Sequence, residues 1–281
     1  QDIAAECDHY LDQFRNKVIY CNCDTECSSF VRYFLNLKSQ GIIRDVIWSG
    51  GLGGIDFRSP ESVAMLQQAD VVVTNPPFSL FREFLTWIVQ ADKKFVIISS
   101  KNSITYKEVF PLIKENKLWV GTTSFNKDML FIPPTTINPS EKATTATRIV
   151  DGIVYLRSPA VWFTNIEHGR RHQPLQLMTM ADNIKFSKHK EIKGKAYQKY
   201  DNYDAIEVPY TDAIPSDYEG VMGVPISFLD KFCPEQFEII GMAEDNGRGF
   251  SGEVSKWDGK NPHCVINGNN KFKRIFIRKK Q

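Results

Sequence analysis

No stretch of this 281-residue chain approaches the roughly 18 to 20 consecutive apolar residues that a membrane-spanning helix needs. Residues 1–15 hold four acids, Asp2, Glu6, Asp8 and Asp12, and lack the basic-then-apolar layout of a secretory signal. The first residue is Gln1 rather than Met, as expected of a trimmed chain. No internal repeat is present. Cysteine is scarce: Cys7, Cys21, Cys23, Cys27, Cys233 and Cys264 are too few and too unevenly spaced for a disulfide framework in a chain this long. A reducing, cytoplasmic setting is the expectation. The cluster Cys21, Cys23 and Cys27 invites a metal reading, but structural zinc sites usually pair Cys-x2–4-Cys with two further ligands, and only Cys7 or His9 stands nearby. Small residues around a strand end account for the cluster, and no metal is expected.

What is present is an ordinary globular composition, 42% hydrophobic and 24% charged, with a net charge of only +2. That near-neutrality conceals an uneven distribution. Residues 141–200 carry 11 Lys and Arg against 5 Asp and Glu, whereas residues 1–140 carry 14 against 15 and residues 201–281 carry 10 against 13. The basic segment holds Arg170, Arg171, Lys185, Lys188, Lys190, Lys193, Lys195 and Lys199, interleaved with His172, Phe186, His189 and Tyr197. Clustered Lys and Arg release condensed counterions on meeting phosphates, so a polyanion is a candidate partner. By charge alone, a solvated surface serves equally well.

Hydrophobic periodicity divides the chain near residue 133. Before it, strand-like and helix-like patterns alternate, the signature of a mostly parallel sheet covered by helices. A polar helix ending near Phe14 precedes a strand at Val18-Ile19-Tyr20 and the turn Cys21-Asn22-Cys23-Asp24. Ser28 opens a helix, Asp45 to Trp48 forms a second strand, and Ser59-Pro60-Glu61 combines a capping side chain, a first-turn proline and an acid at the positive end of the helix dipole. The β-branched run Val71-Val72-Val73-Thr74 reads as a strand buried on both faces. Ser79 is expected to cap the following helix. Phe95 to Ile98 is a further strand, a helix from about Thr105 is expected to kink or break at Pro111, and Leu118 to Val120 closes the alternation. Beyond Phe131 come a Pro- and Thr-rich loop, then short strands and turns such as Asn267-Gly268. The fold class is therefore α/β. Residues 1–133 are expected to form one domain and residues 134–281 a second region.

The tetrad Asn75-Pro76-Pro77-Phe78 stands at the carboxyl end of a buried strand, the edge where open α/β sheets bind ligands. Asn-Pro and Pro-Pro are also common turn elements, but here a strand precedes them and a helix follows. The residue types suit chemistry on an aromatic amine. The N6 lone pair of adenine is delocalised into its ring, so the amine must be held where that pair can point at an electrophile. Asn75 offers a side-chain carbonyl, and Pro76 a backbone carbonyl stiffened by the proline after it. Phe78 offers a flat face for a base that has left its duplex.

With its flanks, Val72-Val73-Thr74-Asn75-Pro76-Pro77-Phe78-Ser79-Leu80-Phe81 and Asn102-Ser103-Ile104-Thr105-Tyr106-Lys107-Glu108-Val109-Phe110, this stretch resembles the EcoRI-type adenine-N6 DNA methyltransferases. Tyr20-Cys21-Asn22-Cys23-Asp24, Asp56-Phe57-Arg58-Ser59, the segment Lys199 to Ile206 and the segment Gly220 to Ile226 resemble that family too. The resemblance implies a monomeric enzyme with a Rossmann-like catalytic sheet, S-adenosylmethionine as methyl donor, and double-stranded DNA whose target adenine is flipped out. It assigns catalysis to Asn75, Pro76, Pro77 and Phe78, and the donor loop to Cys21, Asn22, Cys23 and Asp24. It also places Asp56 and Phe57 at the donor's adenine. Residues from about 135 onward become a C-terminal target-recognition region. There the basic residues grip phosphates, with Arg170 and Arg171 as candidates for contacts to DNA.

The chain departs from the pattern in places. No glycine-rich loop follows Tyr20, and no acid follows closely on Trp48. The region between Lys38 and Asp56 is shorter than the family pattern, and an acidic-aromatic segment expected ahead of the first helix lies outside the chain. Two other readings use the same tetrad: a protein-glutamine N5 methyltransferase, whose planar amide has similar geometry, and a DNA-binding protein of this fold that does not turn over. RNA as substrate ranks below DNA, because no RNA-binding module is recognisable.

Overall fold

The computed structural model describes residues 2–50, 56–123, 125, 128–131, 147–243, 250–251, 254, 263–271 and 273–280. Within them the chain is mixed α/β and forms two compact units, one of residues 1–109 and 118–168, the other of residues 110–117 and 169–281. This division departs from the expected boundary near 133, which itself falls outside the described residues. The strands after it return to the first unit, and a short segment before it belongs to the second.

The first unit begins with α1 (Asp2–Cys7) and α2 (Leu11–Phe14), separated by a 3-10 turn. Then follow β1 (Val18–Cys21), α3 (Ser29–Ser39), β2 (Asp45–Trp48), α4 (Pro60–Gln68), β3 (Val71–Thr74), α5 (Phe81–Gln90) and β4 (Lys94–Ser100). Strands β2, β1, β3 and β4 lie side by side in that order and are all parallel, with Ile19 in register between Val46 and Val71, and Val72 opposite Phe95. Every residue of β1 and β3 is buried, as expected of largely apolar and β-branched strands covered on both faces.

Local chemistry sets the helix starts. The Ser28 hydroxyl accepts from the Val31 amide at 3.1 Å and the Ser59 hydroxyl from the Ser62 amide at 3.1 Å, with Pro60 in the first turn of α4. At α5 the expected cap is not used. Phe78–Leu80 form a 3-10 turn, and α5 begins at Phe81 without a side-chain cap. The helix expected from Thr105 is also displaced. Lys101–Thr105 form a 3-10 turn, and α6 (Phe110–Lys114), part of the second unit, starts one residue before Pro111. Proline in a first turn forfeits no helical hydrogen bond, so Pro111 starts a helix instead of breaking one.

The chain returns to the first unit in β5 (Trp119–Val120) and β6 (Met129–Phe131), then β7 (Thr147–Val150), β8 (Ile153–Ser158) and β9 (Ala160–Thr164). Strand β9 enters the main sheet antiparallel to β4 and carries antiparallel β5 on its other side, completing the order β2-β1-β3-β4-β9-β5. Strands β6, β8 and β7 form a separate antiparallel sheet. Buried Glu6 latches α1 to the turn after β5. Its carboxylate accepts from the Tyr10 hydroxyl, both amides of Thr122 and Thr123 and both of their hydroxyls, at 2.6–3.0 Å. Charge-assisted bonds of this kind are about twice as strong as neutral ones.

The second unit holds α7 (Met180–Phe186), β10 (Ile206–Glu207), β11 (Met222–Pro225), β12 (Phe237–Met242), β13 (Val265–Ile266), β14 (Asn269–Asn270) and β15 (Arg274–Lys279). Its main sheet runs β10-β11-β15-β12, with β15 antiparallel to both neighbours. The β13–β14 hairpin turns at Asn267 and Gly268, both at positive φ, as the Asn-Gly pair predicts. At its centre Arg274 donates to both oxygens of Glu207, with 2.6 Å to Oε1, and Tyr200 bonds the same carboxylate.

Candidate active site

In the parallel part of the sheet the chain runs outward from β1 to β2, then crosses back to place β3 on the other side of β1. At such a reversal the loops leaving adjacent strands diverge, which opens a crevice at their carboxyl ends. The loops concerned are Asn22-Cys23-Asp24 after β1 and Asn75-Pro76-Pro77-Phe78 after β3.

The loop after β1 is tightly built. The Asn22 amide nitrogen lies 2.7 Å from the Tyr20 hydroxyl and 3.1 Å from that of Ser49, and those two hydroxyls are 2.9 Å apart, all three residues being buried. Cys23 adopts φ +62, in the left-handed region that glycine usually supplies. The tight turn for which no glycine was found in the sequence is thus made by a cysteine, with its thiol 2.8 Å from the Asn22 side-chain oxygen. Glycine is required instead at Gly50 after β2. Its amide donates to the Asp24 carbonyl at 2.8 Å, and a Cβ there would stand 2.2 Å from that oxygen. Thr74, the last residue of β3, ties the two loops together: its hydroxyl contacts the Asn22 carbonyl and, at 2.8 Å, Oδ2 of Asp24.

Beyond Thr74 the tetrad turns outward. Pro76 is buried, whereas Asn75, Pro77 and Phe78 are exposed, Phe78 by 42%. Pro77 is extended at φ −56, ψ 123. The two side chains expected to meet a substrate therefore face solvent, on a backbone fixed by a buried strand and two prolines.

The two acids of the expected donor site have different surroundings. Burial pushes the Asp24 carboxyl up to about 6, against the lowering effect of the Thr74 and Ser28 hydroxyls. Asp56 is exposed and clasped by Arg58, whose backbone amide and Nε both reach Oδ1 at 2.9 Å and whose Nη2 reaches Oδ2 at 2.6 Å. That clasp holds its carboxyl at about 2. Phe57 is only 2% exposed, packed edge-on against Phe84 and tilted against Trp87 at ring distances of 5.4 Å. Cys21 is buried in β1, and burial pushes the Cys23 thiol up to about 11, so neither is a thiolate near neutral pH. Among the described residues, no group of three or more His, Cys, Asp or Glu is arranged to hold a metal ion.

In the second unit the basic segment separates into two kinds. Arg170 pairs with Asp230 at 2.7 Å, and Arg171, 4% exposed, donates to the Asn116 side chain at 2.5 Å. Both are engaged within the fold. Lys185, Lys188, Lys190, Lys193, Lys195 and Lys199 are exposed, with Lys188 2.8 Å from Asp212 and the Lys185 ammonium 4.8 Å from the ring centre of Phe186. Sequence reasoning missed the buried ties, Tyr20, Ser49 and Thr74 at the sheet edge and Glu6 at α1. Tyr20 and Thr74 read as strand residues, and only the glycine run after Trp48 hinted at the close approach made by Gly50.

Comparison with known proteins identifies the family. The family model described as adenine-specific methyltransferase EcoRI matches residues 1–51 and 43–280. The two matches meet within the region between Lys38 and Asp56 that looked short. The Type II methyltransferase M.EcoRI of Escherichia coli is 38% identical over 322 residues, covering 100% of this chain and 91% of that protein. Type II methyltransferase M.MgeORF184P of Mycoplasma genitalium is 32% identical over 317 residues, covering 100% and 93%. Type II methyltransferase M.MpnI of Mycoplasma pneumoniae is 34% identical over 271 residues, covering 85% and 79%. No solved structure matches significantly. With the family model covering nearly every residue and relatives aligned over the whole length, the chain belongs to the EcoRI family of adenine-specific methyltransferases.

Proposed function

We propose that this protein is a site-specific DNA adenine-N6 methyltransferase that uses S-adenosylmethionine and acts on an adenine flipped out of duplex DNA. The observation that carries the reading is the tetrad at the carboxyl end of β3, where the strand order reverses, with Asn75 and Phe78 exposed on a rigid backbone. The same reversal, with helices between the parallel strands, supports a Rossmann-like catalytic sheet.

The residues divide the work. The Asn75 side-chain oxygen and the Pro76 carbonyl accept the two amine hydrogens, which turns the nitrogen lone pair away from its ring. Phe78 stacks on the extruded base and replaces the stacking it had in the duplex. S-adenosylmethionine supplies the methyl group on a sulfonium centre. The Asn22-Cys23-Asp24 loop fits such a cation, because Asp24 is a partly buried acid with no Lys or Arg among the groups acting on it. Asp56 is already bound by Arg58, so its proposed contact with the donor's adenine requires one carboxylate oxygen to serve both.

For the second unit we propose target recognition. The exposed lysines between 185 and 199 grip phosphates, while Arg170 and Arg171 are engaged by Asp230 and Asn116 within the fold. None of the described helices is long and apolar enough to cross a membrane. Separately, the family resemblance and the sparse cysteines support a monomer working in the cytoplasm. The test is methyl incorporation from labelled S-adenosylmethionine into unmethylated duplex DNA, followed by nucleoside analysis. N6-methyladenine that disappears in Asn75→Ala is the expected result. Methylation of glutamine in a protein substrate, with none in DNA, would overturn it.

A further inference from the structure

The link between the two loops raises a question of protons. Thr74 Oγ1 lies within hydrogen-bonding reach of two acceptors, the Asn22 carbonyl and Oδ2 of Asp24. A threonine hydroxyl has one proton to donate. When that proton goes to the Asn22 carbonyl, the contact with Asp24 is a hydrogen bond only if the carboxyl supplies a proton of its own. The surroundings favour that state. Burial outweighs the Thr74 hydroxyl from β3 and the Ser28 hydroxyl at the start of α3, which both pull toward the charged form, and no cation acts beside them. The thiols of Cys21 and Cys23 feel its charge and would become anionic themselves on ionising, and Asp56, the other nearby acid, already has Arg58. Asp24 is only half-buried, so it can be reached from solvent.

We propose that Asp24 is a proton-exchanging counter-ion for the methyl donor: its carboxyl shares a proton with Thr74 in the free protein and releases that proton to solvent when the cationic donor binds. No covalent bond changes. The proton passes to buffer, and the donor's positive charge takes its place beside the carboxylate. Burial, which holds this carboxyl near pH 6, places the exchange in the range where cells and assays operate. The proposal rests on S-adenosylmethionine being the donor and adds a thermodynamic role for one residue of its loop.

The sign follows from linkage. The ionised carboxylate is the binding form, so affinity rises with pH. For a group titrating near 6, the donor binds about tenfold more weakly at pH 5 than at pH 7, and about half a proton is released per donor bound at pH 6. The experiment is calorimetric titration of the whole protein with S-adenosylmethionine at pH 5, 6 and 7, in pairs of buffers of different ionisation enthalpy, which counts protons without any turnover. Asp24→Asn, which keeps the shape and a hydrogen-bond donor, is expected to abolish the release at pH 6 and flatten the pH dependence. Thr74→Ser, which keeps the hydroxyl, is expected to preserve both. Binding without proton release at pH 6, or release undiminished in Asp24→Asn, overturns the proposal and leaves the donor assignment standing. Absence of donor binding at every pH removes the donor site, and this proposal with it.

Discussion

In the first unit Asp24 and Asp56 occupy loops on the carboxyl side of neighbouring parallel strands, one without a cationic partner and the other clasped by Arg58. In the second, Arg170, Arg171 and Arg274 are drawn into the fold while the lysines from 185 to 199 stand in solvent. Both regions show that a charged residue's type and number do not reveal its use. What matters is whether a partner within the fold has already taken it. Arginine, with a planar fork of five donors, suits fixed internal pairing, while lysine is a strongly hydrated point charge on a flexible stem and stays readily in solvent.

Each of the following measurements would break or sharpen that contrast. The largest effect is expected inside the second unit, where Glu207→Ala leaves the Arg274 guanidinium buried without its carboxylate. Removal of one member of a buried pair costs about 3–5 kcal/mol, read as a lower midpoint in urea unfolding. At the sheet edge, Asn75→Ala is expected to reduce methyl transfer by about 10²–10³-fold, the scale of removing one positioned polar group, with duplex affinity nearly unchanged. A parallel drop in affinity would mean that Asn75 binds and does not activate.

Asp24→Asn carries a stability signature of opposite sign. A carboxyl raised from 3.8 to about 6 by folding gives the wild type stability that is complete below pH 4 and lost as pH rises through 6. The variant is therefore expected to be more stable than wild type by about 2 kcal/mol at pH 7 and equal to it at pH 4, as thermal unfolding across that range would report. The smallest effects belong to the surface. Replacing Lys185, Lys190 and Lys193 together by Ala is expected to reduce the salt dependence of DNA binding by roughly one unit of slope for each phosphate that is no longer neutralised. Arg171→Ala should lower the melting temperature and leave that slope unchanged. Reversal of the last two results would place Arg171 at the DNA and return the lysines to solvent.

Much of this was legible in the sequence because it is local or periodic. The apolar and β-branched runs of β1 and β3 and the caps Ser28 and Ser59 follow from rules that involve a few adjacent residues. The position of the tetrad was legible because a β-branched strand leads into it and a turn and helix follow it directly. The rest depends on partners far apart in the chain. Nothing near Glu6 announces Thr122 and Thr123, and nothing near Arg170 announces Asp230. The division of the chain escaped for a related reason. Strand β9 pairs back with β4 across a long excursion, and hydrophobic periodicity is blind to such a return.

That excursion limits how the protein can be taken apart. Residues 110–117 belong to the second unit although both flanking segments belong to the first. Their helix buries Phe110 and Ile113, and the Phe110 ring lies 5.0 Å from that of Phe250. The chain passes between units three times, so no single cut yields two intact halves. An exchange of second units between related enzymes made only at residue 168 would leave a foreign helix against a new core. A working chimera must carry residues 110–117 along with everything after 168, as one unit of inheritance written in two places.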